Sequence, residues 1–240
     1  MKDETLFVSD CHLDPARPEV IEVFCSFIEQ RACKARCLYI LGDLFEVWLG
    51  DDDDLSGLHP VIRSLQHLSR NTRICFMAGN RDFLLGSDFA ESCGIELLAE
   101  PEKIRLGRAA VLLIHGDTLC TDDQDYQSFR ALVRAPEWQA QFLEKPLVER
   151  QQIARQLRRD SVAAMTQKSN EIMDVNEDTV ALTFLDHSVE TIIHGHTHRP
   201  AVHHYPDNYT RYVLGDWHDQ PSFLSWTEEK AFQLNDPRVA

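Results

Sequence analysis

No stretch of the chain approaches the roughly 18–20 consecutive apolar residues that a membrane-spanning helix requires, so no spanning helix is expected. A basic excess is missing as well. Lys and Arg total 24 against 39 Asp and Glu, a net charge of -15, and nucleic-acid binders normally present a basic face, so that partner class is set aside. The seven cysteines are an odd number without regular spacing, which excludes a disulfide framework. Cys33 and Cys37, expected at a helix end and a strand start, have no second pair to complete a zinc site. There is no internal repeat, low-complexity segment or flexible linker. Met1-Lys2-Asp3-Glu4 leads into a strand with no apolar signal region, and the expectation is a reduced, cytoplasmic protein with free thiols. The acidic run Asp51 to Asp54 lacks the spacing of an EF-hand loop and reads as solvated.

What is present fits one large domain, or one domain with an insertion: 240 residues, 43% hydrophobic and 26% charged. Short apolar runs at Thr5 to Ser9, Cys37 to Leu41, Arg73 to Met77, Ala110 to Ile114, Thr191 to Ile193 and Tyr212 to Leu214 read as buried strands. Ile104 to Leu106 and Ala110 to Ile114 form a hairpin around Gly107-Arg108. Helices are expected over Pro18 to Gln30, His59 to Ser69 and Phe83 to Cys93, the last stopped by Gly94, and from an Asn176 N-cap to Asp186. Strands alternating with helices indicate an α/β architecture. From Asp122 to about Lys168 that rhythm stops. The pattern is helical, broken at Pro136 and Pro146, and reads as an inserted cap over 122–169 beside a core of 1–121 and 170–240. The cap carries a basic island (Arg150, Arg155, Arg158, Arg159, Lys168) suited to phosphates or anionic headgroups, and apolar residues Trp138, Phe142, Leu143, Leu147, Val148, Ile153 and Leu157 that either line a groove or pack the helices.

Five strands end in ligand-type residues, usually beside glycine: Asp10-x-His12, Gly42-Asp43, Gly79-Asn80-Arg81-Asp82, His115-Gly116-Asp117 and Gly195-His196-x-His198. Side chains at the ends of neighbouring strands converge on one sheet edge. Asp10, His12, Asp43, Asn80, His115, His196 and His198 offer oxygen and nitrogen donors and no thiolate, a set suited to Mn²⁺ or Fe²⁺, with Zn²⁺ possible. One ion does not need so many ligands. Two ions sharing Asp43 use them economically and can activate a water and clamp a phosphoryl displacement. His194 is a supporting residue, while His59, His67, His187, His203, His204 and His218 read as surface.

These motifs together resemble the calcineurin-like metallophosphoesterase family. The resemblance implies a four-layer αββα sandwich of two mixed sheets. It assigns Asp10, His12, Asp43 and His198 to one ion, and Asp43, Asn80, His115 and His196 to the other. One position departs from the family, where the Asn is usually followed by a His able to protonate a leaving alcohol. Here it is Arg81, a poor acid but a bidentate phosphate binder, which favours a phosphate leaving group; the alternative is a structural ion pair with Asp82.

Within the family the likeness narrows to a lipid A biosynthesis branch, on Tyr39 to Glu46, Gly79 to Leu84, His115 to Asp123 and His194 to Ala201. That likeness implies a Mn²⁺-dependent pyrophosphohydrolase of UDP-2,3-diacylglucosamine, a lipid-linked nucleotide sugar. The implied products are UMP and 2,3-diacylglucosamine 1-phosphate. The implied location is peripheral, as a monomer, on the anionic cytoplasmic face of an inner membrane. Asp43, Asn80, Arg81 and His196 would be catalytic, and substrate would touch Asn80, Arg81, Asp123, Ser161, Met165, Lys168 and His196. Cys11 stands where that branch usually has Leu and is expected to point away from the metals. The rivals are a phosphodiesterase or protein phosphatase on the same scaffold and a non-catalytic binding module.

Overall fold

Leu6, Phe7 and Val8 are all fully buried, and alternation along the strand sends them to opposite faces. Leu6 and Val8 join one apolar cluster and Phe7 another, so this strand is covered on both sides. The computed structural model describes residues 3–165 and 172–239. Along it run β1 (Thr5–Val8), α1 (Pro18–Gln30), β2 (Cys37–Leu41), α2 (His59–Leu68), β3 (Arg73–Met77), α3 (Ser87–Cys93), β4 (Ile95–Leu98), β5 (Glu102–Leu106), β6 (Ala109–Leu113), α4 (Gln124–Val133), α5 (Pro136–Leu143), α6 (Leu147–Met165), α7 (Glu177–His187), β7 (Thr191–His194), β8 (Ala201–His204), β9 (Thr210–Val213), β10 (Phe223–Thr227) and β11 (Ala231–Asn235).

The strands form two mixed sheets, ordered β11-β10-β1-β2-β3-β4 and β5-β6-β7-β9-β8. β1 to β4 are mutually parallel, as are β6, β7 and β9, with antiparallel strands at the flanks. Phe7, Tyr39, Leu41, Cys75 and Met77 of the first sheet pack against Val111, Leu113 and Ile193 of the second. The outer face of the first sheet packs on α1, α2 and α3 through Leu38, Ile40, Phe24, Val61 and Phe89. The outer face of the second packs on α7 through Leu112, Ile192, Val180 and Phe184. The layers are therefore helix, sheet, sheet, helix, the sandwich expected from the sequence.

Pro18 opens α1, Gly94 ends α3 at φ 66°, and the Asn176 side chain accepts from Thr179 N, as the sequence predicts. α4, α5 and α6 break near Pro136 and Pro146 as expected. Other expectations are corrected, extended or, where two alternatives stood, decided. The helix predicted from Phe83 starts only at Ser87, because Asp82 ties down the chain before it. Beyond the strand expected at Tyr212 to Leu214, two that the sequence does not announce, β10 and β11, follow and pair beside β1. The Asp51–Asp54 run is more than a solvated loop: Asp51 accepts from Trp48 Nε1 and from the N–H groups of Gly86 and Phe89, each at 3.0 Å, and Asp52 pairs with Arg150. Cap residues Trp138, Phe142, Leu147 and Ile153 pack onto the main apolar cluster, so for them the helix-packing alternative holds, whereas Leu143 and Val148 are exposed. All seven cysteines are free, with Cys11 buried in that cluster. Among the described residues no helix is long and apolar enough to cross a membrane.

Candidate metal centre

Parallel strands deliver the predicted ligands to one edge. Asp10 and His12 follow β1, Asp43 follows β2, Asn80 follows β3, His115 follows β6, and His196 and His198 follow β7. Five of these seven have left-handed backbone: Asp10 (φ 52°), His12 (46°), Asp43 (54°), His196 (67°) and His198 (55°). Such residues cost about 1–3 kcal/mol each and persist only where surroundings dictate them. Here the loops are laced together. Asp10 N bonds Gly42 O (3.1 Å), His12 N bonds Asp43 O (3.0 Å), Leu13 N bonds Leu44 O (2.9 Å) and Glu46 N bonds Leu13 O (3.1 Å). Asp82, fully buried, accepts from the backbone N–H of Gly79, Asp43, Leu44 and Phe45 and so joins the Asn80 loop to the Asp43 loop. A Cβ at Gly79 would collide with the Asp43 carboxylate. Asp82 is thus engaged with backbone and not with Arg81, whose buried Nε has no hydrogen-bond partner among the described residues.

The donors fall into two groups that meet at Asp43. In the first, His12 Nε2 lies 3.1 Å from His198 Nε2 and 3.9 Å from both Asp10 Oδ1 and Asp43 Oδ2; His198 Nε2 lies 3.3 Å from Asp10 Oδ1. In the second, Asn80 Oδ1 is 3.0 Å from His115 Nε2 and 2.9 Å from His196 Nδ1, and Asp43 Oδ1 is 3.8 Å from His115 Nε2. His115 Nδ1 donates to Leu41 O (2.8 Å), and His12 Nδ1 faces Glu46 Oε2 at 3.0 Å. With those nitrogens protonated, the Nε2 lone pair of His115 points at the Asn80 and Asp43 oxygens, and that of His12 at His198 Nε2 and at the Asp10 and Asp43 oxygens. Such a set calls for a positive occupant, and the buried Asp10 Oδ1 has no well-formed hydrogen bond of its own. Two overlapping groups, Asp10-His12-His198 and Asp10-Asp43-His115, are each close enough to hold an ion. The residues fit divalent cations.

Electrostatics point the same way. Burial pushes Asp10 up, but contact with His198 and the charges of His198, His115 and His12 outweigh it and hold the carboxylate well below the usual range. Burial lowers His115, yet Asp43, Asp117, Asp10 and Glu100 raise it to about 9. The same carboxylates would favour a metal cation in place of that proton, which must leave for the imidazole to act as a ligand. Burial and the neighbouring His115 push His196 down to about 4, leaving it neutral at pH 7. His194 is fully buried, accepts from Arg211 Nη1 at 3.1 Å and donates to Gly195 O, and burial with Arg211 pushes it down to about 3. It supports the His196 loop from behind.

Several neighbours escape the motif reading. Glu46 stands behind His12, and Asp216 stands 3.6 Å from His198 Nδ1, held by Arg238 and by His218 at 2.9 Å. His218 is therefore more than a surface residue. Glu100 accepts from His115 N (2.7 Å) and from Arg130, which also binds Asp117; Tyr126 donates to Asp117 and sets its ring 5.6 Å from His196. Asp216 does sit at a strand end beside Gly215, the same signal that marks the ligands. The cap contacts divide. Asp123 caps α4 by accepting from Tyr126 N. Ser161 is exposed on α6. The Met165 side chain and Lys168 lie outside the described residues. In the basic island, Arg150 is 1% exposed and committed to Asp52, Leu49 O and Lys145 O, so it is not free to meet a phosphate. Arg158 pairs with Glu46.

The chain is 47% identical over 228 residues to "UDP-2,3-diacylglucosamine hydrolase" of Pasteurella multocida, covering 95% of each protein. It is 47% identical over 225 residues to the protein of the same name in Aromatoleum aromaticum (92% of each), and 48% over 219 residues to that of Chromohalobacter salexigens (89% of this chain, 88% of the relative). The sequence profile of calcineurin-like phosphoesterases matches residues 4–200. Because that match runs from β1 through all five strand-end motifs to His198, the chain belongs to the calcineurin-like phosphoesterase family.

Proposed function

We propose that this chain hydrolyses the pyrophosphate bond of UDP-2,3-diacylglucosamine to UMP and 2,3-diacylglucosamine 1-phosphate, with two Mn²⁺ ions bound by Asp10, His12, Asp43, Asn80, His115, His196 and His198. The observation that carries it is the pairing of two cation-seeking donor groups with an adjacent arginine whose buried Nε has no hydrogen-bond partner among the described residues, in a chain whose relatives of nearly equal length carry that enzyme name. When bound, the two cations supply the positive charge that acidifies water and neutralises phosphoryl oxygens. The protein's residues do the rest. Asp43 has one oxygen toward each donor group, and Arg81 N donates to Oδ1 at 2.8 Å, fixing its orientation. The Arg81 guanidinium, permanently protonated, grips phosphate oxygens in its fork and cannot act as an acid. That suits a phosphate leaving group, which departs without a proton. His196, neutral at pH 7, donates toward the same oxygens. Water adds to the α-phosphorus, the bond to the bridging oxygen breaks, and the sugar phosphate keeps that oxygen.

In this reading residues 1–121 and 170–240 form the catalytic core, and 122–169 a cap that receives the acyl chains. Apolar side chains left exposed there, Phe129, Leu132, Leu143, Val148 and Val162, support a greasy lining. Asn80, Arg81 and His196 hold the phosphates, and Asp123, Ser161, Met165 and Lys168 the sugar. Exposed Arg155 and Arg159 favour attachment, as a monomer, to the anionic cytoplasmic face of the inner membrane. The test is Mn²⁺-dependent release of UMP from UDP-2,3-diacylglucosamine in ¹⁸O-labelled water, read by mass spectrometry. Label in UMP and loss of turnover in Asp43→Ala are expected. Cleavage of a simple aryl phosphodiester without UMP release would leave the scaffold and remove the lipid substrate.

A further inference from the structure

Helix α6 belongs to the cap, yet one of its side chains reaches the metal centre's support. Arg158 pairs with Glu46. The other oxygen of that carboxylate, Oε2, faces His12 Nδ1 at 3.0 Å. On the far side of the ring, His12 Nε2 faces His198, Asp10 and Asp43. A single carboxylate therefore touches a cap helix with one oxygen and a candidate ligand with the other.

The backbone holds this arrangement in register. His12 N bonds Asp43 O, Leu13 N bonds Leu44 O, and Glu46 N bonds Leu13 O. Leu13 and Phe45 form a parallel bridge. The loop carrying His12 and the loop carrying Glu46 are thus one short two-stranded ribbon, and Glu46 cannot drift from His12 without breaking it. Glu46 is largely buried, at 18% side-chain exposure, whereas Arg158 is 47% exposed. The buried partner stands directly behind the ring, and the exposed one connects the helix to it.

We propose that Glu46 and Arg158 are positioning residues that couple the seating of cap helix α6 to cation binding at His12. Glu46 selects the tautomer that presents Nε2 to a cation and holds the ring's angle, a role in which a carboxylate behind a ligating histidine changes metal affinity about 10–100-fold. Arg158 restrains Glu46. Coupling of this kind is reciprocal: what α6 does for the cation, the cation does for α6. The inference rests on the two-cation reading given above.

The test measures Mn²⁺ binding directly, by electron paramagnetic resonance of free Mn²⁺ in titrations of the full chain without substrate. Hydrogen exchange of residues 147–165, with and without Mn²⁺, reports the other direction. Glu46→Ala is expected to raise the Mn²⁺ Kd about 10–100-fold. Arg158→Ala should raise it about two- to fivefold, because the pair is half exposed. In the Glu46→Ala background Arg158→Ala should add nothing. Glu46→Gln keeps an acceptor for His12 but loses its charge, and should fall between wild type and Glu46→Ala. Mn²⁺ should slow exchange in α6 of the wild type and not of Arg158→Ala. Glu149→Ala, at the start of the same helix, should leave the Kd unchanged. An unchanged Kd in Glu46→Ala, or an Arg158 effect undiminished without Glu46, overturns the coupling. No Mn²⁺ binding by the wild type would instead overturn the two-cation reading itself.

Discussion

Asp82→Ala removes a carboxylate that accepts from four buried backbone N–H groups: Leu44 at 2.7 Å, Gly79 at 2.9 Å, Asp43 at 3.2 Å and Phe45 at 3.3 Å. The two short bonds to a charged acceptor contribute about 1.5–3 kcal/mol each and the two long ones less, a gross loss of about 4–6 kcal/mol. One effect opposes this. Burial, and next the charge of Asp43, push Asp82 up to about 6. At 1.36 kcal/mol per pKa unit, holding it ionised at pH 7 costs about 3 kcal/mol. The net loss in metal-free protein is then about 1–3 kcal/mol, or about 2–12 °C in Tm at 2–4 °C per kcal/mol.

Bound cations change that balance. Positive charge at Asp43 offsets its repulsion of Asp82, so the substitution should approach the gross loss of about 4–6 kcal/mol, about 8–24 °C. Weaker cation binding by a displaced Asp43 adds in the same direction. Differential scanning calorimetry of wild type and Asp82→Ala, once with EDTA and once with excess Mn²⁺, measures both shifts. Equal shifts in the two conditions would refute the claim that Asp82 is held against the repulsion of a candidate metal ligand. No shift in either would refute its role in joining the two loops.

Arg81→Ala should lower kcat/KM by about 10²–10³-fold, the loss typical of one oriented donor to a developing charge, and Arg81→Lys should recover little because it lacks the fork; steady-state assays of the three proteins decide. Arg150→Ala should destabilise by about 1–3 kcal/mol, since it strips Leu49 O and Lys145 O of a buried donor, as read by urea unfolding. Its pairing with Asp52 depends on pH. The hydrogen bond from Arg150 holds Asp52 below the usual carboxylate range, so the coupling is present above about pH 3.9 and is lost as pH falls through the lower folded value. A double-mutant cycle with Asp52→Asn should give about 0.2–1 kcal/mol at pH 6, as suits a mostly exposed carboxylate, and less at pH 3. Asn176→Ala should cost about 1 kcal/mol through the lost cap of α7, and Asn176→Asp should retain most of it in thermal melts.

The strand ends were legible because their grammar is local. An apolar run followed by Asp, Asn or His beside glycine announces a ligand leaving a sheet edge. Asp43, Asn80, His115 and His196 each carry that signature, Asp10 carries it without the glycine, and the structure brings all five together. Strands β10 and β11 were not legible. Phe223-Leu224-Ser225-Trp226-Thr227 and Ala231-Phe232-Gln233-Leu234-Asn235 alternate weakly, because β11 closes an edge half open to solvent. Their pairing is set by β1, some 200 positions earlier in the chain. The early start given to α3 failed for a related reason. Phe83, Leu84 and Leu85 are apolar enough for a helix, but Asp82 bends the chain there to serve two other loops.

The basic island shows what composition cannot resolve. Arg150, Arg155, Arg158 and Arg159 are alike in sequence and differ in duty. Arg150 is sealed inside the protein against Asp52, Arg158 reaches Glu46, and Arg155 and Arg159 bond within their own helix and stay open. A charge becomes a surface feature or a structural one according to which acid the fold carries to it. Here the acids come from the β2 loop, which also bears Asp43. The same short segment thus supplies a candidate bridging ligand, the orienting carboxylate of another and the anchor of the cap. If the loop after β2 is the point where core chemistry and cap meet, substitutions there should affect cation binding and cap order together, while substitutions at the exposed His203 and His204 of β8 should affect neither.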